Sequence, residues 1–208
     1  MNKLIRLGVL VSGSGTILQS FIDAAARNEL GAEIAVVISD RPESYALERA
    51  GQNGIPAVLI NNRDYSDRES FERRMIDELD AYGVELVFMA GFLRVLTPFF
   101  VEPYDGRLIN AHPALLPAFG GVGFYGSRVH KAVLKAGVKF SGCTAHFVTA
   151  ETDAGPIIAQ SIVEVMDDDT PESLGARVLK AEHALYPKVV NLFAEGRLKR
   201  EMNRVIVI

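Results

Sequence analysis

Apolar runs of strand length alternate with helix-length amphipathic stretches through the first half of the chain, and no other feature constrains the fold as tightly. Strand-like runs at 5–12, 33–39, 57–60, 86–90 and 108–110 are separated by helical patterns at 16–27, 45–53, 66–82 and, shorter, near 98–104. This succession implies right-handed βαβ units around a mainly parallel sheet. The runs Gly8 to Val11 and Leu86 to Ala90 are apolar at consecutive positions, as strands covered by helices on both faces must be. After Pro117 the character changes. A glycine-rich loop at 119–126 leads to a helical pattern at 127–136, and strand-like runs at 142–148 and 156–165 predict antiparallel strands added to the sheet. A long helix is expected over 171–195, stopped by Gly196, and the tail at 199–208 ends in an apolar run read as an added edge strand. With 208 residues, no internal repeat and no low-complexity linker, the expectation is one Rossmann-like α/β domain: a twisted, mainly parallel sheet with helices on both faces and antiparallel strands in its C-terminal half.

Charge and cysteine usage narrow the function. A net charge of −4 argues against a dominant nucleic-acid footprint, though a local site on an acidic protein can still hold a small anion. No apolar segment reaches membrane-spanning length and no signal-peptide pattern opens the chain, so no membrane partner and a cytoplasmic location are expected. The single cysteine, Cys143, lies in an apolar run and reads as a buried small hydrophobe. The four histidines are dispersed without metal-ligand spacing, so no metal is expected. Without a Gly-x-Ser-x-Gly elbow or a convincing cysteine nucleophile, direct transfer with proton management is favoured over covalent catalysis.

Three local patterns carry chemistry. In the run ending at His112, side chains alternate, so Asn110 and His112 point the same way at a strand's carboxyl end, with Pro113 denying the next ladder donor. An amide can hydrogen-bond a developing oxyanion, and an imidazole can donate to it or move a proton near neutral pH. Two polar residues capping a sheet would look the same. The second pattern is Ser12-Gly13-Ser14-Gly15-Thr16 between a strand and a helix, a plausible monophosphate cradle or a plain tight βα turn. It lacks Walker A spacing and the third glycine of a dinucleotide fingerprint, which disfavours NAD. The third is a turn bounded by Gly155-Pro156 that holds His146, Glu151 and Asp153; a carboxylate brought against His112 would raise the imidazole pKa and orient it, while Asp in such a turn is also ordinary.

Taken together, the stretches Ser12 to Gln19, Ala90 to Leu96, Asn110 to Pro117, His146 to Thr149, Asp153 to Gln160 and Glu182 to Pro187 resemble, in order and over nearly the whole chain, the phosphoribosylglycinamide formyltransferase family of purine synthesis. The resemblance implies 10-formyltetrahydrofolate as co-substrate and 5-phosphoribosylglycinamide as acceptor, with no metal. It implies that Asn110 and protonated His112 stabilise a tetrahedral oxyanion while Asp153 holds His112 charged and oriented. It places Gly15, Thr16 and Ile17 at the ribonucleotide phosphate and Glu182 near its ribose or glycinamide end. The folate would meet Leu93, Arg94, Val95, Leu96, Asn110, Thr149, Ala150, Glu151, Thr152 and Asp153, with Arg68 nearby. On this reading residues 1–105 form a phosphate- and ribonucleotide-binding half and 106–208 a catalytic and folate-binding half, in a monomer or homodimer.

Three positions depart from the family pattern. Ile17 stands where an asparagine is usual, Leu179 stands where a polar or basic residue is more frequent with Lys180 following it, and the 119–126 loop is of the longer, glycine-rich kind, expected to form a flap. A formyltetrahydrofolate hydrolase would share Asn, His and Asp but carry a regulatory domain ahead of the first strand, and a methionyl-tRNA formyltransferase would need a further C-terminal domain. A folate- or phosphate-binding paralogue without turnover is the non-catalytic alternative.

Overall fold

The computed structural model describes residues 4–208. A seven-stranded sheet forms its centre, built from β1 (Ile5–Val11), β2 (Ala32–Ser39), β3 (Ala57–Leu59), β4 (Leu86–Met89), β5 (Leu108–His112), β6 (Phe140–Phe147) and β7 (Ile157–Glu164). Their order is β3-β2-β1-β4-β5-β6-β7; the first five run parallel, and β6 and β7 join antiparallel, as the change of pattern after Pro117 predicts. Helices α1 (Thr16–Ala26), α2 (Tyr45–Gln52), α3 (Arg68–Ala81), α4 (Pro98–Val101), α5 (Ser127–Ala136) and α6 (Pro171–Ala194) cover the faces.

Alternation along β1 shows how the core divides. Leu7, Val9 and Val11 enter one apolar layer with α1, α5 and α6, whereas Leu10 enters the other with α3 and α4. In the first layer Phe88 of β4 meets Phe21 of α1 edge-on at 5.0 Å and Tyr186 of α6 at 5.5 Å. Each such ring, fully buried, contributes on the order of 2–3 kcal/mol, and together they fix α6 against the sheet. α6 starts at a reciprocal cap between Thr170 and Ser173. It continues through Pro187, which removes one helix N–H, between the buried Tyr186 and Val190.

Two boundaries differ from expectation in ways that matter. β5 runs two residues further, to His112, because β6 supplies ladder partners: Ala111 faces Ala145 and His112 faces Thr144. The tail is not an edge strand of the main sheet. β8 (Leu198–Glu201) and β9 (Arg204–Val207) pair with each other in a separate two-stranded sheet, closed by a turn at Met202 and Asn203. A two-residue turn satisfies the backbone locally, and the hairpin leans on the core through Leu198 and Val205.

Candidate active site

The chain leaves β1 for β2 and β3 on one side, then returns to β4 on the other, so the crossovers part at the carboxyl ends of β1 and β4. Open α/β sheets bind ligands at such a switch point. A cleft of about 710 Å³ opens there, walled by the segment after β4, the end of β5, the glycine-rich loop, the turn after β6 and one face of α6.

Asn110, His112 and Asp153 meet at its floor. Asp153 reaches in from a left-handed turn (φ 56°), a conformation aspartate tolerates. Its Oδ2 lies 3.5 Å from His112 Nδ1 and accepts the Gly121 N–H at 2.9 Å, while its Oδ1 accepts from Asn110 Nδ2 at 3.4 Å. His146 joins them, because the antiparallel register sets it opposite Asn110. Its Nδ1 lies 2.9 Å from the Phe147 carbonyl, and its Nε2 lies 3.2 Å from Asn110 Nδ2 and 3.6 Å from Asp153 Oδ1. The second nitrogen of His112, Nε2, donates to the Phe119 carbonyl at 2.8 Å. The glycine-rich loop thus lies directly on the group: its backbone holds both the His112 donor and an Asp153 oxygen. Asn110 is anchored by contacts of 3.2 and 3.4 Å, long enough for its amide to be surrendered to a better acceptor.

Burial dominates the electrostatics. It pushes the His112 imidazole below its ordinary 6.5, against Asp153 and the Phe119 carbonyl, with His146 pushing the same way as burial. The carboxylate therefore acts in the expected sense but is outweighed by burial. Burial would raise Asp153, yet hydrogen bonding to His146, the charge of His112 and the Gly121 N–H together hold it below the usual carboxylate range. Glu182, on α6, lines the same cleft; burial pushes its carboxyl to about 7 against a hydrogen bond from Tyr186 Oη at 3.2 Å. Tyr186 Oη also approaches the main-chain carbonyls of His112 and Thr144, tying α6 to the strand end. Cys143 is fully buried with its thiol pushed up to about 12, an inert core residue as expected.

The remaining expected residues divide cleanly. Leu93, Arg94, Val95, Leu96, Thr149, Ala150, Glu151, Thr152, Ile17 and Glu182 all line the cleft. Gly15 and Thr16 stand just before Ile17 at the start of α1, a helix with no side-chain cap. Gly15 is required twice over: its φ is 69°, and a Cβ there would fall 2.6 Å from that of Ala46. The Ser12 hydroxyl accepts the Leu93 N–H at 2.9 Å, which fixes the wall after β4. Arg68 is outside the main cleft, in an adjoining hollow of about 470 Å³ shared with Leu93, Arg94 and Val95, where its guanidinium holds the Val95 carbonyl. Leu179 lines the cleft, whereas Lys180 is exposed on α6 beyond it. His146 and Tyr186 gain their importance only from strand register and helix docking. Among the described residues no group of three or more potential ligands could hold a metal ion, and no helix is long and apolar enough to cross a membrane.

Comparison with known proteins gives the family. The family model for formyl transferases matches residues 5–190. The chain is 41% identical over 195 residues to phosphoribosylglycinamide formyltransferase of Escherichia coli K12, covering 94% of this chain and 90% of that one. It is 43% identical over 196 residues to the trifunctional purine biosynthetic protein adenosine-3 of Chironomus tentans, of which it spans 14% while 93% of this chain is covered. The crystal structure of glycinamide ribonucleotide transformylase 1 from Symbiobacterium toebii superposes with a TM-score of 0.95 at 43% identity, over 100% of this chain and 96% of that one. The chain therefore belongs to the formyl transferase family, among its phosphoribosylglycinamide formyltransferases, and is a transferase enzyme.

Proposed function

We propose that the enzyme transfers the formyl group of 10-formyltetrahydrofolate to the amine of 5-phosphoribosylglycinamide, a step of de novo purine synthesis. The observation that carries this reading is the convergence of Asn110, His112 and Asp153 at the floor of the cleft. The glycinamide amine would attack the formyl carbon, forming a C–N bond and placing negative charge on the formyl oxygen. The Asn110 amide and the His112 Nε2–H then serve as donors to that oxygen, the Phe119 carbonyl giving up the Nε2 proton it now holds. An ionised Asp153 beside Nδ1 favours the imidazolium as charge develops opposite it. Collapse breaks the bond from carbon to N10, and the proton lost by the amine reaches N10 through His112 or an ordered water.

Binding follows from the same walls. The N–H groups opening α1 at Gly15, Thr16 and Ile17 suit the phosphate, and Glu182 suits the ribose or glycinamide end. Leu93, Val95 and Leu96 line the cleft together with the segment from Thr149 to Asp153, apolar walls and backbone groups that suit a pteridine. Arg68 then meets the outer end of the folate, in the adjoining hollow. The division into a ribonucleotide half, 1–105, and a catalytic and folate half, 106–208, is crossed by Arg68, by the wall at Leu93 to Leu96 and by Glu182.

Folate absorbance provides the test. Turnover must require the ribonucleotide, and Asn110→Ala must lower kcat about a hundred- to thousandfold, as loss of an oxyanion donor does, with a much smaller change in either KM. Turnover at full rate without the ribonucleotide would make the protein a hydrolase, and ligand binding without turnover would make it a binding protein.

A further inference from the structure

His130 is on α5, one turn beyond Ser127 and on the same side of the helix. It lines the cleft but is only 7% exposed. Its Nδ1 is buried without a hydrogen-bond partner, and burial alone, with no carboxylate acting on the ring, lowers its pKa. The opposite edge of the ring lies across Gly175 of α6, another cleft-lining residue: a Cβ at Gly175 would stand 3.0 Å from His130 Cδ2 and 3.2 Å from Nε2. Glycine inside a helix costs about 1 kcal/mol relative to alanine, so α6 is weakened at the place where this ring needs room.

The proton can be placed by counting. A buried N–H without a partner is rarer than a buried lone pair without one. The neutral ring therefore keeps its bare lone pair at Nδ1 and carries its hydrogen on Nε2, toward Gly175 and the cleft. The surroundings are of the same kind. α5 starts at Gly126 with no side-chain cap, and Gly126 and Ser127 both line the cleft, so the helix start brings partial positive charge to it. Nearby, Ile17 and Leu179 contribute no polar group. Gly175, Leu179 and Glu182 share one face of α6; seven residues at 1.5 Å each set the His130 contact roughly 10 Å from Glu182, a separation that a ribose phosphate spans.

We infer that His130 is a binding residue for the ribonucleotide, donating from Nε2 to an oxygen of its ribose phosphate, in a niche that Gly175 keeps open. The inference rests on the formyl-transfer reading above. It is tested by steady-state kinetics on the wild type, His130→Leu, His130→Gln and Gly175→Ala, varying 5-phosphoribosylglycinamide and 10-formyltetrahydrofolate separately and recording Tm. His130→Leu should raise the ribonucleotide KM about tenfold or more, the cost of a lost hydrogen bond to a charged group, and leave the folate KM unchanged. His130→Gln, which keeps a donor near Nε2, should recover most of that loss. Gly175→Ala, which keeps the imidazole but crowds its edge, should raise the same KM to a lesser extent. Repeating the series with the dephosphorylated glycinamide riboside separates the two kinds of oxygen: a defect that vanishes marks the phosphate, and one that persists marks the ribose. An unchanged ribonucleotide KM in His130→Leu and Gly175→Ala would overturn the inference, as would equal rises for both substrates in Leu and Gln variants with a lowered Tm. A wild type that transfers no formyl group would instead refute the underlying reading, and this inference with it.

Discussion

Replacing Glu182 by Gln removes a charge that the fold is poorly suited to hold. Glu182 is 6% exposed and burial pushes its carboxyl from 4.5 to about 7, with only the Tyr186 hydroxyl opposing. For an acid whose folded pKa lies above its unfolded one, stability is fully present below the unfolded value and is lost as pH rises through the folded value. The gap from 4.5 to about 7, at about 1.4 kcal/mol per pH unit, is on the order of 3 kcal/mol. Roughly 1 kcal/mol of that is already lost at pH 5.5, and nearly all of it above pH 8. Glu182→Gln cannot ionise, so its stability relative to the wild type should grow by about 2 kcal/mol between pH 5.5 and pH 8.5. For a chain of this size that is about 4–8 °C in Tm. Thermal melts of both proteins across that range read the effect directly, and the titrating histidines cancel because both proteins share them. Formyl transfer should fall in the same variant, since Glu182 is assigned to the ribonucleotide. Parallel Tm profiles for the two proteins would refute the reasoning, because they would show that Glu182 does not titrate near neutrality.

Other perturbations follow from single contacts. Gly15→Ala combines a left-handed backbone with a clash 2.6 Å from Ala46 Cβ and 2.9 Å from its Cα; denaturant melts should show a loss of about 2–4 kcal/mol, with a raised ribonucleotide KM. Arg94→Met strands Asp40, whose side chain is fully buried and whose Oδ2 accepts from Arg94 Nε at 2.7 Å; urea unfolding at neutral pH should show a loss of about 3 kcal/mol. The Cys143 thiol, buried and pushed up to about 12, should react with a thiol reagent no faster than the protein unfolds, which is checked by comparing the labelling rate with the unfolding rate.

Much of this site could be read from the chain because it depends on local rules. Consecutive apolar residues in β1 and β4 can only be strands covered on both faces, and period-two alternation alone puts Asn110 and His112 side by side. The features that resisted reading depend on long-range geometry. His146 enters the group through its antiparallel pairing with Asn110 across β5 and β6, a register that no sequence period announces. The lowered pKa of His112 follows from how completely it is buried, a quantity alternation does not report. The adjoining hollow that holds Arg68, whose guanidinium meets the Val95 carbonyl, is likewise a matter of tertiary placement. The tail reads as strand on composition, yet its two halves pair with each other across a two-residue turn instead of adding to the main sheet.

The most direct measurement follows a labelled formyl group in a single turnover, with the wild type and His112→Ala each mixed with formyl-labelled 10-formyltetrahydrofolate and 5-phosphoribosylglycinamide. The label should appear on the ribonucleotide within the wild-type turnover and stay on the folate in His112→Ala. Label released as free formate by the wild type, or transferred as fast by His112→Ala, would contradict the assignment of direct transfer to the group formed by Asn110, His112 and Asp153.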